Sequence, residues 1–366
     1  PVVPAGAQRI MSTDPRLQIA LSHWAARMVS NGVPLADFND VTSSLTSWDD
    51  WCSAWVAKGE VHDSLARDAE ASGFSLSAGE HYTTAAICYH FGKFLFVHDR
   101  EQMKKAHKAA VASRLNALPF LDPPGERIDI PWRGKTLKGI LRKPVAVDRP
   151  PVVVMVMGLD SAKEEMHSNE QVFLDRGLAT LIFDGPGQGE GEYDFPICPE
   201  YEEPVGAVLD WVEERADLDK DNIGIWGVSL GGYYAPRATA FHDRIRACIT
   251  LSGPFDWGEI FDKIPDLTKS AFLARSFADD EEAARGIANR MTLKECAQQI
   301  KCPIYIVAGK RDGVIPYEHC VRLSEEVAGE VVLNMIEDGG HVANNRIYKY
   351  RSQSADWMQT ILTRAT

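Results

Sequence analysis

From Arg16 to Leu118 the apolar residues recur at helical spacing, with few β-branched runs. Ser77-Ala-Gly-Glu80 has the spacing of a capping box, in which a side chain at each end satisfies an orphan backbone donor. It opens a long stretch, Tyr82 to Leu118, in which Ile87, Tyr89, Phe91, Phe94, Leu95 and Phe96 form a dense apolar band. Such a band is wider than the single stripe of a surface helix, so it predicts helices packed on something large. Leu121-Asp-Pro-Pro-Gly125 then stops any helix, because proline removes a donor and restricts the residue before it. An N-terminal all-helical cap domain over 1–122 is expected, with the boundary at this proline pair.

Beyond residue 125 the period changes. Glu126 to Pro144 alternates in short strand-like pieces around Arg133-Gly134-Lys135, which reads as a hairpin. Apolar strand-length runs then alternate with amphipathic stretches: Val152–Met157, Ala179–Phe183, Ile223–Trp226, Ala247–Leu251, Ile304–Ala308 and Val331–Ile336. Near-continuous apolar strands separated by helices signal a mostly parallel sheet with helices on both faces, an α/β fold. One such domain is expected over 123–366. Within it, the segment 253–300 is too long for a simple crossover, since loops beyond ~12–15 residues in compact domains are functional or disordered. Its Phe255, Trp257, Ile260, Phe261, Phe272, Leu273 and Phe277 argue for an ordered, lid-like insertion.

Composition narrows the function mainly by exclusion. The 366 residues carry 39 Lys+Arg against 52 Asp+Glu, a net charge of −13. An acidic chain is a poor partner for nucleic acid, whose non-specific binding rests on Lys and Arg neutralising phosphates, or for anionic lipid. The longest apolar run, Pro151 to Leu159, is about half the ~20 residues that a membrane helix needs. Pro1 to Arg9 lacks the basic start and long apolar stretch of a secretory signal. The seven cysteines are an odd number, scattered, with no Cys-x-x-Cys pair, the pattern of free thiols in a reducing cytosol. A cytoplasmic enzyme with no metal and no cofactor is the expectation. Asp184-Gly-Pro-Gly-Gln-Gly-Glu-Gly191 fails the dinucleotide fingerprint and has no Walker lysine, so it reads as a loop shaping the pocket floor.

The chemistry gathers around one serine. Gly227-Val-Ser229-Leu-Gly231 follows a strand and precedes the helix-like stretch Tyr233–Ala240, the strand–turn–helix context of a nucleophile elbow. The turn is so tight that larger residues two positions to either side would collide with neighbouring backbone, hence glycines. A serine needs a base oriented by an acid, and in this fold the chain order is Ser, then Asp or Glu, then His. His341 lies on a glycine-loosened loop after the last strand, at the sheet edge where ligands bind; His319, inside Tyr317–Arg322, reads as a surface or helix-face histidine. Asp312, on the loop leaving the penultimate strand, is the expected acid, although an Asx turn with Gly313 is its competing reading. Asp338 reads as turn chemistry before Gly-Gly. An acyl-type reaction also needs donors for a developing oxyanion; the expected pair is the backbone N–H of Leu230 and that of Leu159.

The Ser229, Asp312 and His341 order resembles the α/β-hydrolases. Gly158-Leu-Asp-Ser-Ala-Lys-Glu-Glu165, Phe183 to Glu190, Tyr89-His-Phe-Gly-Lys-Phe-Leu-Phe96 and the helical N-terminal region narrow the resemblance to one branch. This is the carbon–carbon bond hydrolase branch of 2,6-dihydroxypseudooxynicotine hydrolase and of fungal polyketide-shortening hydrolases. It implies hydrolysis of a 1,3-diketone-like small molecule under a helical cap. The branch also implies an assisting glutamate after the strand that follows the nucleophile, where this chain offers Asp256, Glu259 and Asp262. Two routes are open to that cleavage: an acyl-enzyme on Ser229, or water activated directly by His341 with Ser229 only positioning it. Ester or amide cleavage by the same triad is the alternative reading. An inactive hydrolase-fold binding protein or a non-hydrolytic lyase is more remote. The partner is expected to be a small carbonyl substrate; the Tyr89–Phe96 band suits a domain or a subunit interface, which leaves a homodimer open.

Overall fold

The computed structural model describes residues 14–364; the N-terminal stretch read above for a secretory signal lies outside them. Five helices come first: α1 (Pro15–Asn31), α2 (Leu35–Ser44), α3 (Trp51–Ala71), α4 (Ser75–Lys93) and α5 (Arg100–Ala117). The first strand starts at Gly125, straight after the proline pair. There follow β1 (Gly125–Trp132), β2 (Lys135–Arg142), β3 (Pro151–Val156), α6 (His167–Leu174), β4 (Ala179–Asp184), α7 (Glu202–Glu213), β5 (Asp219–Val228), α8 (Gly231–Phe241) and β6 (Ile245–Leu251). The remainder is α9 (Asp266–Arg275), α10 (Glu281–Arg290), β7 (Ile304–Gly309), α11 (Glu318–Glu326), β8 (Val331–Ile336) and α12 (Arg351–Leu362). Each apolar run read as a strand is one.

The eight strands form one sheet in the order β1-β2-β4-β3-β5-β6-β7-β8. β2 pairs antiparallel with β1 and with β4, and the other pairs are parallel. Every residue of β3, β4 and β7 is buried, as strands covered on both faces must be. The β1–β2 turn has Arg133 and Gly134 at φ 45° and 76°, the left-handed pair that suits a two-residue hairpin. The 253–300 segment is ordered: it holds α9 and α10, and buries Phe255, Trp257, Ile260, Phe261 and Phe272.

The capping box at Ser77–Glu80 does not form. α3 closes with Gly73 at φ 75°, where the Phe74 and Gly73 amides reach back to the Ala69 and Glu70 carbonyls at 2.9 and 3.0 Å. This closing motif satisfies the end of α3 and delivers the chain at once into α4, whose first residue is Ser75. Ser77 is therefore already helical. The Tyr82–Leu118 stretch is two helices, broken between Lys93 and Arg100.

The apolar band of α4 is buried within the chain, and Phe91, Phe94 and Leu95 share one core with Trp24, Trp51, Tyr233 and Phe255. The helices and the sheet are thus packed as one body of apolar contact. Among the described residues no helix is long and apolar enough to cross a membrane.

Trp51 is a sensitive point of this core. It is fully buried, stacks on Trp48 at 4.8 Å, and donates its indole N–H to the Phe91 carbonyl near the end of α4 at 2.7 Å. Trp51→Phe keeps an aromatic ring and leaves that carbonyl without its donor, so it should cost about 1–3 kcal/mol. Urea unfolding should show a lower midpoint with the slope unchanged; an unaltered midpoint would deny the bond its role.

Candidate active site

Ser229 occupies the turn between β5 and α8 with φ 55°, a left-handed conformation that is uncommon for a side chain and costly to hold. Its own amide bonds to the Leu251 carbonyl at 2.9 Å, and its carbonyl receives the Gly232 amide at 2.7 Å. The flanking glycines are required by contact: a Cβ on Gly227 would overlap the Gly231 carbonyl, and one on Gly231 would overlap the Val156 carbonyl.

The hydroxyl meets His341. Ser229 Oγ lies 2.9 Å from His341 Nε2, and His341 Nδ1 lies 2.9 and 3.0 Å from the two Asp312 carboxylate oxygens. The Asp312 side chain is 1% exposed. Burial alone would raise its pKa, but His341 and the Ile315 and Val314 amides outweigh burial and hold the carboxyl below its ordinary value. The contact with His341 coexists with an Asx turn, because Oδ1 also accepts the Val314 and Ile315 amides at 2.8 and 2.9 Å. The Asx turn fixes the carboxylate that faces the imidazole. Asp338 instead pairs with Arg346 and Lys349. His319 is buried rather than on an open helix face, and its Nδ1 accepts the Phe255 and Asp256 amides at 3.1 and 3.3 Å.

Leu230 follows Ser229 directly in the chain, and Leu159 follows Gly158 on the loop that approaches it. Both are buried, and among the described residues neither amide donates to a protein acceptor. Buried N–H groups are nearly always paired, which sets these two spare donors apart. The loop of Leu159 approaches the serine closely: a Cβ on Gly158 would lie 3.2 Å from Ser229 Cβ. Ser229 and His341 open on a crevice lined also by Arg27, Asn31, Met166, Trp226 and Asn344, with a free volume of about 20 Å³. That is room for about one water molecule. Val342 and Ala343, directly after His341, are both left-handed at φ 57° and 49°.

None of Asp256, Glu259 and Asp262 lines this crevice. Asp256 and Glu259 pair with Lys294, and Asp262 with Arg285. The Gly185–Gly191 loop does not line it either. It folds back on Asp184, which accepts the Lys163 and Glu190 amides, while Gln188 reaches the Met157 and Gly158 carbonyls. His107, Glu164 and Asp184 are close enough together to bind a metal ion. The Lys163 ammonium, 2.6 Å from both Glu164 and Asp184, already supplies a cation there, so the donor set suits a closed ionic cluster.

Sequence reasoning missed several residues. Arg27 on α1 donates to both Glu165 oxygens at 2.7 Å, to Asp160 at 2.6 Å and to Ser161 at 3.0 Å. Arg275 on α9 donates to the Leu159 carbonyl. His23, also on α1, packs over Gly313 beside the Asp312–His341 pair, with its pKa lowered by burial and then by His341. Each acts on a partner far away in sequence, where local spacing carries no signal.

The sequence pattern of the prolyl oligopeptidase family matches residues 165–364. The chain is 33% identical to 2,6-dihydropseudooxynicotine hydrolase of Paenarthrobacter nicotinovorans over 345 residues, 93% of this chain and 92% of that one. The chain belongs to this family of α/β-hydrolases. A solved structure of 2,6-dihydroxy-pseudo-oxynicotine hydrolase superposes with a TM-score of 0.86, covering 93% of this chain and 96% of that one at 33% identity. The α/β hydrolase gkaG of Penicillium citrinum is 26% identical over 78% of this chain and 75% of that one. Wild-type AbyA5, at 20% identity and a TM-score of 0.72 over 94% of this hydrolase and 98% of that chain, shares the fold. The family pattern begins at Glu165, so likeness in the N-terminal helices rests on the relatives that span them.

Two outcomes follow for this hydrolase. Asp312→Asn removes the carboxylate that fixes the imidazole tautomer and should lower kcat by ~10,000-fold with KM little changed; steady-state kinetics decide it. The second concerns stability against pH. Burial would raise the carboxyl pKa of Glu165 and Glu192, yet Arg27 holds the first well below the usual range, and Arg275 with Lys93 holds the second at about 2. Burial also depresses the pKa of His107 and takes that of His167 down to about 3. These imidazoles are uncharged when folded and gain a proton when unfolded as pH drops through ~6.5. The unfolded carboxyls follow below ~4.3, so in both windows the unfolded chain binds more protons and stability falls with pH. The Tm should decline below about pH 6.5 and drop steeply below about 4.3; a Tm held constant from pH 7 to 4 would contradict this.

Proposed function

We propose that this protein is a serine hydrolase that cleaves a carbon–carbon bond in a 1,3-diketone-like small molecule. The observation that carries the reading is the hydrogen-bonded series Ser229–His341–Asp312 beside two unpartnered amides. Its substrate class is drawn from the relative named as 2,6-dihydropseudooxynicotine hydrolase.

In this reading His341 Nε2 takes the Ser229 proton as the oxygen attacks a substrate carbonyl. The Leu159 and Leu230 amides receive the developing oxyanion, commonly the largest electrostatic contribution to such a step. The carbon–carbon bond breaks because the second carbonyl, one carbon further on, accepts its electron pair as an enolate. The imidazolium returns the proton to that carbon, releasing a ketone. Water, deprotonated by His341, then frees the acid from Ser229. The helices α1 to α5 and the segment 253–300 serve as cap and lid over the crevice, and the seven free thiols fit a reducing cytoplasm.

A fluorophosphonate should label the native enzyme and fail on Ser229→Ala, read by intact-protein mass. A panel pairing benzoylacetone with phenyl acetate should show turnover of the diketone that Ser229→Ala abolishes. Labelling that persists in Ser229→Ala would remove the nucleophile assignment, and turnover of the ester alone would leave an esterase.

A further inference from the structure

The loop from Met157 to Ser161 is held at every position by side chains from elsewhere in the chain. Gln188 Nε2 donates to the Met157 and Gly158 carbonyls at 2.6 and 3.1 Å, and Gln188 is itself fixed by Tyr201 at 2.6 Å. The Leu159 carbonyl accepts from the Arg275 guanidinium. The Asp160 and Ser161 side chains accept from Arg27 at 2.6 and 3.0 Å. The Leu159 N–H shares one rigid peptide plane with the Gly158 carbonyl, so a bond to that carbonyl sets where the N–H points. Bonds to the Leu159 carbonyl and to Asp160 then prevent rotation on the far side.

Two of these three tethers come from outside the sheet. Arg27 belongs to α1 and Arg275 to α9, the helical region and the insertion respectively. Both arginines are buried and both are anchored. Arg27 is locked bidentate on Glu165, and Arg275 Nε lies 3.4 Å from Glu192, which Lys93 of α4 holds at 2.7 Å. A guanidinium presents its donors in a fixed planar fork, so it imposes direction as well as distance, which an ammonium does not.

We propose that Arg27 and Arg275 are positioning residues that hold the Leu159 amide on the oxyanion, so that the helical region and the insertion form part of the catalytic device. The proposal rests on the reading of Ser229 as nucleophile. α1 cannot withdraw without releasing Asp160 and Ser161, so the donor pair is complete only while the helices are docked.

The test measures inactivation of the full chain by a fluorophosphonate, which also builds negative charge on an oxygen as Ser229 attacks. The variants are Arg27→Lys, Arg275→Lys and Ser161→Ala. Arg114→Lys serves as the control: Arg114 is equally buried in the same seam, paired with Glu170, and does not touch the loop. Loss of aim at one donor should lower the maximal inactivation rate ~10–100-fold in both arginine variants, with the half-saturating concentration within about threefold of native. Ser161→Ala leaves every buried charge paired, so it folds where a lysine variant does not, and it should lower the rate about fivefold, the worth of one modest hydrogen bond. Arg114→Lys should stay near native. Unchanged rates in the folded variants, or an equal fall in Arg114→Lys, would overturn the positioning role. A native enzyme that is not labelled at all would bring down the Ser229 reading first, and this one with it.

Discussion

The structure depends on a seam of buried ion pairs between the N-terminal helices and the sheet domain. Arg27 meets Glu165, Lys93 meets Glu192 and Arg114 meets Glu170, all with side chains between 0 and 8% exposed. Taking such groups out of water costs several kcal/mol per ion, and mutual attraction recovers this only when each charge meets its partner. A shift of α1 or α4 by one turn would leave bare charges on both sides. The pairs therefore admit one register, whatever their net stabilisation. Within that register the apolar band of α4 closes against the sheet domain, and Phe91 and Phe94 enter the same core as Tyr233 and Phe255.

The same constraint reaches the site through short covalent distances. Glu165 lies only a few residues beyond the loop that carries Leu159, and Arg27 bonds to both ends of that stretch. From the other side, the elbow is fixed by the sheet: β5 is central, flanked by β3 and β6, and the Ser229 amide is tied to the end of β6. His341 and Asp312 arrive on loops leaving β8 and β7. Strained backbone at Ser229, Val342 and Ala343 persists because each is surrounded by such fixed elements.

How much of this was legible in the sequence follows from the range of each interaction. Strands such as Val331–Ile336 and the elbow at Ser229 are written in adjacent residues, and so is the order of Ser229, Asp312 and His341. The helical period of α4 was readable too, but its start was not, because the turn from α3 placed it and left Ser77 inside the helix. His319 looked like a surface residue since nothing local says that Phe255 and Asp256 will donate to it. Arg27 and Arg275 were illegible for the same reason: they bond to residues 133 and 116 positions away. The Gly-rich run at 185–191 was legible as a loop near the pocket, but not that its Gln188 holds the Met157 and Gly158 carbonyls, which lie 31 and 30 positions away.

Charge balance links the seam to the chemistry. Around the loop, Arg27, Arg275 and Lys93 stand against Asp160, Glu165 and Glu192, three cations for three carboxylates. With those charges paired among themselves, an oxyanion in the proposed reaction would draw on oriented amide dipoles, which need no reorganisation when the charge appears. Dipoles are effective only at correct distance and angle, far more so than a bare charge. A site that relies on them must be rigid, and the bonds that clamp Met157 to Ser161 are what such reliance demands.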